Sequence, residues 1–303
     1  MKQIPNLFTL LNLVFGCLAI VFILQTGETI VLLQQEGFSQ VNLPERITWG
    51  SLLIFAAAII DFLDGFIARL FKSTSNMGQQ LDSLADVVSF GVAPGLILYQ
   101  LLRISFAQEE NGLDISIVWL LPAFLIPCAA AWRLAKFNLS EDHQGPFRGV
   151  PTPATGLVIA SIPLIIHFQT FNLQMAFINK WLLYSVIIVL SVLMVSNLPV
   201  MNMKLKDLSI KNNLARYVLV AISIIAVFGL KWFAVPVIFI AYVILSLAFK
   251  NRLTCFLTVS WPMKSAAAIS LYIKPRDSSS SISFSRCERT ARLFSLVPVA
   301  GLF

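Results

Sequence analysis

Charge is scarce in this chain. Only 12% of its 303 residues are Asp, Glu, Lys or Arg, against about 25% in a soluble domain, which excludes an ordinary water-exposed fold. Histidine is scarcer still: His143 and His167 are the only two. Neither opens a His-x-Lys pattern, so a phospholipase-D-type mechanism through a covalent phosphohistidine has no residues to use, and His167, inside an apolar run, reads as packing. The four cysteines, Cys17, Cys128, Cys255 and Cys287, make no Cys-x2-Cys or Cys/His cluster, which argues against a disulfide framework or a zinc site. No internal repeat is evident, against a transporter built from duplicated halves. No Walker or Rossmann glycine motif is present, so any phosphate must be held by other means.

What is abundant is apolar sequence: 57% of residues are hydrophobic and the mean hydropathy is +0.82. A membrane span needs about 20 apolar residues, and eight candidates can be drawn, at 4–25, 47–70, 80–102, 116–137, 152–170, 178–199, 213–230 and 232–249. The first is as long as a full span and lacks a small-residue cleavage site, so it reads as a transmembrane helix rather than a signal peptide. With the N-terminus inside, one side holds twelve basic residues, Lys2, Arg69, Lys72, Arg133, Lys136, Arg148, Lys204, Lys206, Lys211, Arg216, Lys250 and Arg252. The other holds four, Arg46, Arg103, Lys180 and Lys231, with most of the loop acids. That bias predicts a multi-pass protein of the cell membrane with both termini cytoplasmic, and it accounts for the net charge of +7 without nucleic acid. Trp49, Trp119 and Trp181 fall near the expected outer boundaries, as an aromatic belt would. Gly229-Leu230-Lys231-Trp232 predicts a tight hairpin between the last two spans. Residues 251–303 change character: serine-rich and basic, they read as a disordered tail, or one lying on an anionic membrane face.

Against this background four aspartates stand out, in Asp61-x2-Asp64-Gly65-x2-Ala68-Arg69-x8-Gly78-x3-Asp82-x3-Asp86. One Asp at the centre of a spanning helix costs roughly 2.5–3.5 kcal/mol on the lenient scale. Four within 26 residues imply a shared cation. Asp61 and Asp64 are three apart, Asp82 and Asp86 four apart, so each pair lies on one helix face. The short loop between them makes their helices antiparallel neighbours, and all four carboxylates are expected to converge near the cytoplasmic surface. Oxygen-only ligands suit Mg²⁺, Mn²⁺ or Ca²⁺, and four negative charges match two divalent ions, a pattern that recurs in phosphoryl chemistry. Gly65 and Ala68 leave room beside them. Arg69 suits phosphate oxygens. Gly78 relaxes the return of the hairpin, and Ser75 offers a hydroxyl in the loop. A cation transporter would explain the aspartates, but not the spacing of Gly65, Ala68, Arg69 and Gly78, and it would favour carboxylates at mid-membrane.

The pattern D-x2-D-G-x2-A-R-x8-G-x3-D-x3-D resembles the signature of the CDP-alcohol phosphatidyltransferase family, with every fixed position present. The resemblance covers about residues 1–200. It implies an all-α integral membrane fold with a six-span catalytic core over 1–200, here followed by a two-span hairpin over 201–250 and the tail over 251–303. It also implies transfer of a substituted phosphoryl group from a CDP-linked lipid to an alcohol, with release of CMP. By the same resemblance Asp61 and Asp82 bridge two metals, Asp64 holds one and Asp86 the other. Asp86 also takes the proton of the acceptor hydroxyl, and Gly65, Arg69, Ser75 and Gly78 belong to the CDP-lipid site. Members are commonly homodimers.

The acceptor is read from three further stretches. Leu81-Asp82-Ser83-Leu84-Ala85-Asp86-Val87-Val88-Ser89-Phe90-Gly91-Val92-Ala93-Pro94, Arg133-Leu134-Ala135-Lys136-Phe137-Asn138 and Phe147-Arg148-Gly149-Val150-Pro151-Thr152-Pro153-Ala154 resemble the serine-using branch. Lys136 and Val150 are mild departures from it. CDP-diacylglycerol and L-serine are then the expected substrates; glycerol 3-phosphate or an inositol phosphate is the alternative acceptor. Serine carries a carboxylate, and Arg133 and Arg148 are candidates to meet it, unless both serve only as positive-inside anchors. Asn12, in the first span, is expected to make a helix–helix hydrogen bond rather than to act as a ligand. Pro122, Pro127, Pro163 and Pro236 are expected to kink their spans.

Overall fold

The computed structural model describes residues 4–25, 45–70, 76–108, 115–139, 149–168, 174–196, 198 and 210–260. Every regular element among them is helical. They are α1 (Ile4–Leu24), α2 (Glu45–Leu70), α3 (Asn76–Asp86), α4 (Ala93–Ala107), α5 (Leu125–Leu139), α6 (Thr152–His167), the short α7 (Gln174–Phe177), α8 (Lys180–Val195), α9 (Ile210–Leu230) and α10 (Ala234–Ser260). Among the described residues four stretches are long and apolar enough to cross a membrane: Asn6–Leu24, Glu45–Ile67, Met77–Ala107 and Arg216–Ala248. Thr152–His167 and Lys180–Val195 are apolar but shorter. The chain is a helical membrane protein.

The departures from the expected spans have local causes. Helices α3 and α4 join through a π-helical turn, Val87–Val92, into one rod longer than the span drawn at 80–102. Pro94 explains the wide turn. It has no N–H to give the Phe90 carbonyl, and its ring would crowd that carbonyl. The backbone instead bonds Ala93 N–H to Val88 O, five residues back. The span drawn at 116–137 begins with two 3₁₀ turns, Ile117–Trp119 and Leu121–Phe124, the second carrying Pro122 in its first turn. Lys231 divides the last apolar stretch: its φ of 51° is left-handed, which a side chain adopts only at a cost and which no α-helix continues through. The two compact units are Met1–Leu247 and Ala248–Phe303. Of the second, only the end of α10 is described. It runs to Ser260, past the boundary drawn at 250, because Leu253 to Val259 is again largely apolar. The rest of the expected tail lies outside the described residues.

The core sits where α4, α5 and α6 meet. Phe90, Ile97, Leu98, Leu101, Ile126 and Ile159 are among its largest fully buried side chains. Small residues let these helices close in, as membrane helices must when the surrounding solvent is as apolar as their side chains. A Cβ on Gly156 would stand 3.0 Å from the Phe90 backbone, and one on Gly95 2.9 Å from Pro127. Gly16 of α1 is pressed against Ser89 in the same way. Gln100, fully buried, donates to the Ile23 carbonyl at 3.2 Å, tying α4 to the far end of α1. The outward faces are apolar: Phe62 and Phe66 on α2, Trp132 on α5 and Phe228 on α9 are exposed, as lipid contact requires. Trp49, Trp119 and Trp181 are exposed too. The Tyr184 hydroxyl donates to the Trp119 carbonyl at 2.6 Å and the Tyr184 ring packs against Trp181.

Candidate active site

Asp61 and Asp64 lie on the last turns of α2; Asp82 and Asp86 lie on α3, Asp86 immediately before the π turn. Three of the four carboxylates come together: one oxygen each of Asp61, Asp82 and Asp86 lie within 4.8 Å of one another. Asp64 remains their electrostatic neighbour, but its carboxylate is turned to α1, where it accepts a hydrogen bond from the Thr9 hydroxyl. Asp64 and Asp86 are buried; Asp61 and Asp82 are half-buried.

The donor set fits a hard divalent ion. Two oxygens bound to one Mg²⁺ at 2.0–2.1 Å stand roughly 3 Å apart when adjacent and about 4.2 Å apart when opposite. Three oxygens mutually within 4.8 Å are a small side-chain movement from that arrangement. Carboxylates held this close in an apolar setting repel one another, and a cation removes the repulsion. One oxygen of Asp86, Oδ1, is buried without any hydrogen-bond partner among the described residues. Such an acceptor is expensive to leave unmade, and a bound ion or a neighbouring donor would satisfy it.

Arg133, on α5, is close enough to Asp86 and to Tyr242 of α10 to interact electrostatically with both. Its Nη1 donates to the Thr152 hydroxyl at 2.9 Å, while its Nε is buried without a partner among the described residues. The segment before Thr152 is built to hold that hydroxyl in place. Gly149 has φ 75°, and a Cβ there would stand 2.9 Å from the Ser196 carbonyl, so glycine is required for both reasons. Gly149 N–H bonds to Leu198 O at 2.8 Å and Val150 N–H to Leu193 O at 3.2 Å. Prolines then open α6, where the missing N–H costs nothing, and Thr152 is fully buried.

The third run meets the same region. Asn138 Nδ2 donates to Ser83 Oγ at 3.0 Å and to Gln80 Oε1 at 3.3 Å, joining the end of α5 to α3 one position past Asp82. The three stretches picked out in the sequence therefore converge on the aspartates: Ser83 with Asn138, and Arg133 with Thr152.

Gly65 and Gly78 lie on α2 and α3 beside the aspartates, Gly65 exposed and Gly78 half-buried. Arg69 is placed only as a position on α2. Ser75 and Arg148 lie outside the described residues. Four contributors were missed in the sequence: Thr9, Thr152, Tyr242 and the side chain of Asn12 as a neighbour of Asp86. Thr9 and Asn12 had a signal, since polar residues three apart on an apolar helix share a face. Thr152 and Tyr242 had none, because only the packing of distant helices brings them to Arg133.

The model of the CDP-alcohol phosphatidyltransferase family matches residues 2–202. A CDP-diacylglycerol–serine O-phosphatidyltransferase of Helicobacter pylori (strain ATCC 700392 / 26695) is 37% identical over 181 residues, covering 58% of this chain and 68% of the relative. The protein of the same name from Bacillus subtilis (strain 168) is 30% identical over 191 residues, 59% of this chain and 89% of the relative. One from Saccharomyces cerevisiae (strain ATCC 204508 / S288c) is 37% identical over 127 residues, 39% and 42% of the two chains. With the aspartates of the signature gathered at one site and the family's model matched over about two thirds of the sequence, this chain belongs to the CDP-alcohol phosphatidyltransferases, a transferase family of phospholipid synthesis.

Proposed function

We propose that this chain transfers the phosphatidyl group of CDP-diacylglycerol to the hydroxyl of L-serine, giving phosphatidylserine and CMP. The observation that carries the reading is the placement of Arg133, held by Thr152 at 2.9 Å, beside Asp86. A guanidinium suits the serine carboxylate and would set the serine hydroxyl next to the carboxylate that is to take its proton. The names of the relatives support the same acceptor.

Asp61 and Asp82 would bridge two divalent ions, Mg²⁺ or Mn²⁺, with Asp64 on one and Asp86 on the other. When bound, such ions neutralise the pyrophosphate and the charge that develops on the departing CMP. Asp86 accepts the proton as the serine oxygen bonds to the lipid-side phosphorus. The bond from that phosphorus to the CMP oxygen breaks, and CMP leaves with the electron pair. Gly65 gives the lipid pyrophosphate close access to the backbone of α2; Arg69, Ser75 and Gly78 complete its site. Arg148 is a second candidate for the serine carboxylate. The site faces the cytoplasm in a multi-pass protein with both termini inside, so that lipid donor arrives from the bilayer while serine and CMP exchange with water. Residues 1–200 form the catalytic core, 201–250 an added pair of spans and 251–303 a basic tail. A homodimer is the expected assembly.

The test is CMP release by the purified protein in detergent with CDP-diacylglycerol and Mg²⁺ or Mn²⁺, offering L-serine, glycerol 3-phosphate and inositol 1-phosphate in parallel. Release with serine alone, abolished by chelation and by Asp86→Asn, is the expected result. Release only with another acceptor would overturn serine and keep the family.

A further inference from the structure

Helix α1 supplies no aspartate, yet it lies against the site over two turns. Thr9 donates to Asp64. Asn12, one turn on, faces Asp86. Its side chain is fully buried, and neither Nδ2 nor Oδ1 has a hydrogen-bond partner among the described residues. The amide is near enough to the Asp86 carboxylate on α3 to act on it, yet no tight hydrogen bond among the described residues fixes it. The backbone at this turn is pinned instead: Ser89, in the π turn just after Asp86, donates to the Asn12 carbonyl at 3.1 Å, and Gly16 lets the two helices approach that closely.

A buried amide with no partner costs roughly 1–3 kcal/mol, and an apolar residue would fill the position without that cost. The neighbouring orphan is its chemical complement. Asp86 Oδ1 is an acceptor without a donor; the Asn12 amide carries two N–H groups.

We propose that Asn12 is a positioning residue for Asp86: its amide donates to one oxygen of that carboxylate and leaves the other for the divalent ion and the serine hydroxyl. Thr9 does the same for Asp64, so α1 acts as an outer strip that orients two carboxylates it does not provide. Outer partners of this kind typically change metal affinity or activity 10- to 100-fold when removed. The inference rests on the proposed function, since it assigns Asn12 a role in that reaction.

The test uses Asn12→Leu, close in volume and without the polar atoms, and Asn12→Ala, with three readouts: Mn²⁺ affinity by electron paramagnetic resonance, thermal unfolding in detergent, and kcat and KM for serine. The expected result is unfolding at the wild-type temperature or above for Asn12→Leu, Mn²⁺ affinity reduced about 10-fold, kcat reduced about 10- to 100-fold, and KM for serine changed far less than kcat. Wild-type Mn²⁺ affinity and kcat in either folded variant would overturn the proposal, as would failure of both variants to fold, which would make the amide a structural element. Wild-type protein that binds Mn²⁺ more tightly than Asn12→Leu but releases no CMP with serine would uphold the positioning of Asp86 and overturn the serine reaction instead.

Discussion

Two stretches of this chain are both apolar enough to cross a membrane and are used in opposite ways. Met77–Ala107 and Arg216–Ala248 are both long and apolar, yet of an apolar 18-residue window in each, 67% is buried inside the protein in the first and 17% in the second. The first carries Asp82, Asp86, Ser89, Gly91, Gly95 and Gln100, residues that either form the site or let neighbours press in. The second turns Ile225, Val227 and Phe228 outward. Hydrophobicity in a membrane protein marks what may touch lipid. It does not mark what forms the core, because lipid rewards apolar surface as well as another helix does. Small and polar residues mark the inner helix, where a polar group must find a partner and a backbone must come close.

The sharpest way to test that contrast is to remove function from the inner rod without removing fold. Asp86→Asn should leave the unfolding temperature in detergent nearly unchanged while CMP release falls by roughly 10²–10⁴-fold, the usual value of a general base. Equal losses of stability and activity would mean Asp86 serves packing. Next in size, Arg133→Ala should raise KM for serine by about 10- to 100-fold, as expected for loss of a charge-assisted hydrogen bond of about 1.5–3 kcal/mol. It should leave KM for CDP-diacylglycerol largely alone; unchanged serine KM would return Arg133 to the role of a membrane anchor.

Packing should separate the two stretches next. Gly156→Val places methyl groups where a Cβ alone meets the Phe90 backbone at 3.0 Å, and overpacking of this kind costs about 1–3 kcal/mol, read as a lower unfolding temperature in detergent. Phe228→Ala, on the outward face of α9, should change stability by no more than about 0.5 kcal/mol, despite deleting a larger side chain. If the two ranked the other way, the outward face of α9 would be an interface rather than a lipid surface. The smallest effect is expected from ending the chain at residue 260, where the described part of α10 stops: kcat for serine should stay within about twofold of wild type, since compositionally the tail reads as dispensable.

Much of the site was legible because a membrane makes charge conspicuous. Asp61, Asp64, Asp82 and Asp86 could not be explained as surface decoration, and their spacing put each pair on one helix face. The convergence was less complete than spacing suggested: Asp64 turns to Thr9, a residue 55 positions away that no helical periodicity connects to it. Arg133 was visible as a basic residue near a span end, but anchor and ligand look alike in sequence. The structure puts Thr152, Tyr242 and Asp86 next to it, which supports the ligand role proposed above. The π turn at Val87–Val92 could have been suspected from Pro94 alone. Its consequence could not: it sets Ser89 against Gly16 and Asn12, and Phe90 against Gly156.

By itself, the sequence determined the membrane class, the helical fold, the family and the aspartates, because each follows from local facts: the length of an apolar run, the cost of a buried charge, the spacing of residues on one helix. Only the tertiary structure decided which apolar helix is core and which faces lipid, that three carboxylates meet while the fourth is held by α1, and that Arg133 and Asn12 both stand beside Asp86. Those depend on side chains from helices far apart in the chain being packed against one another, and no local pattern records which helices will be neighbours.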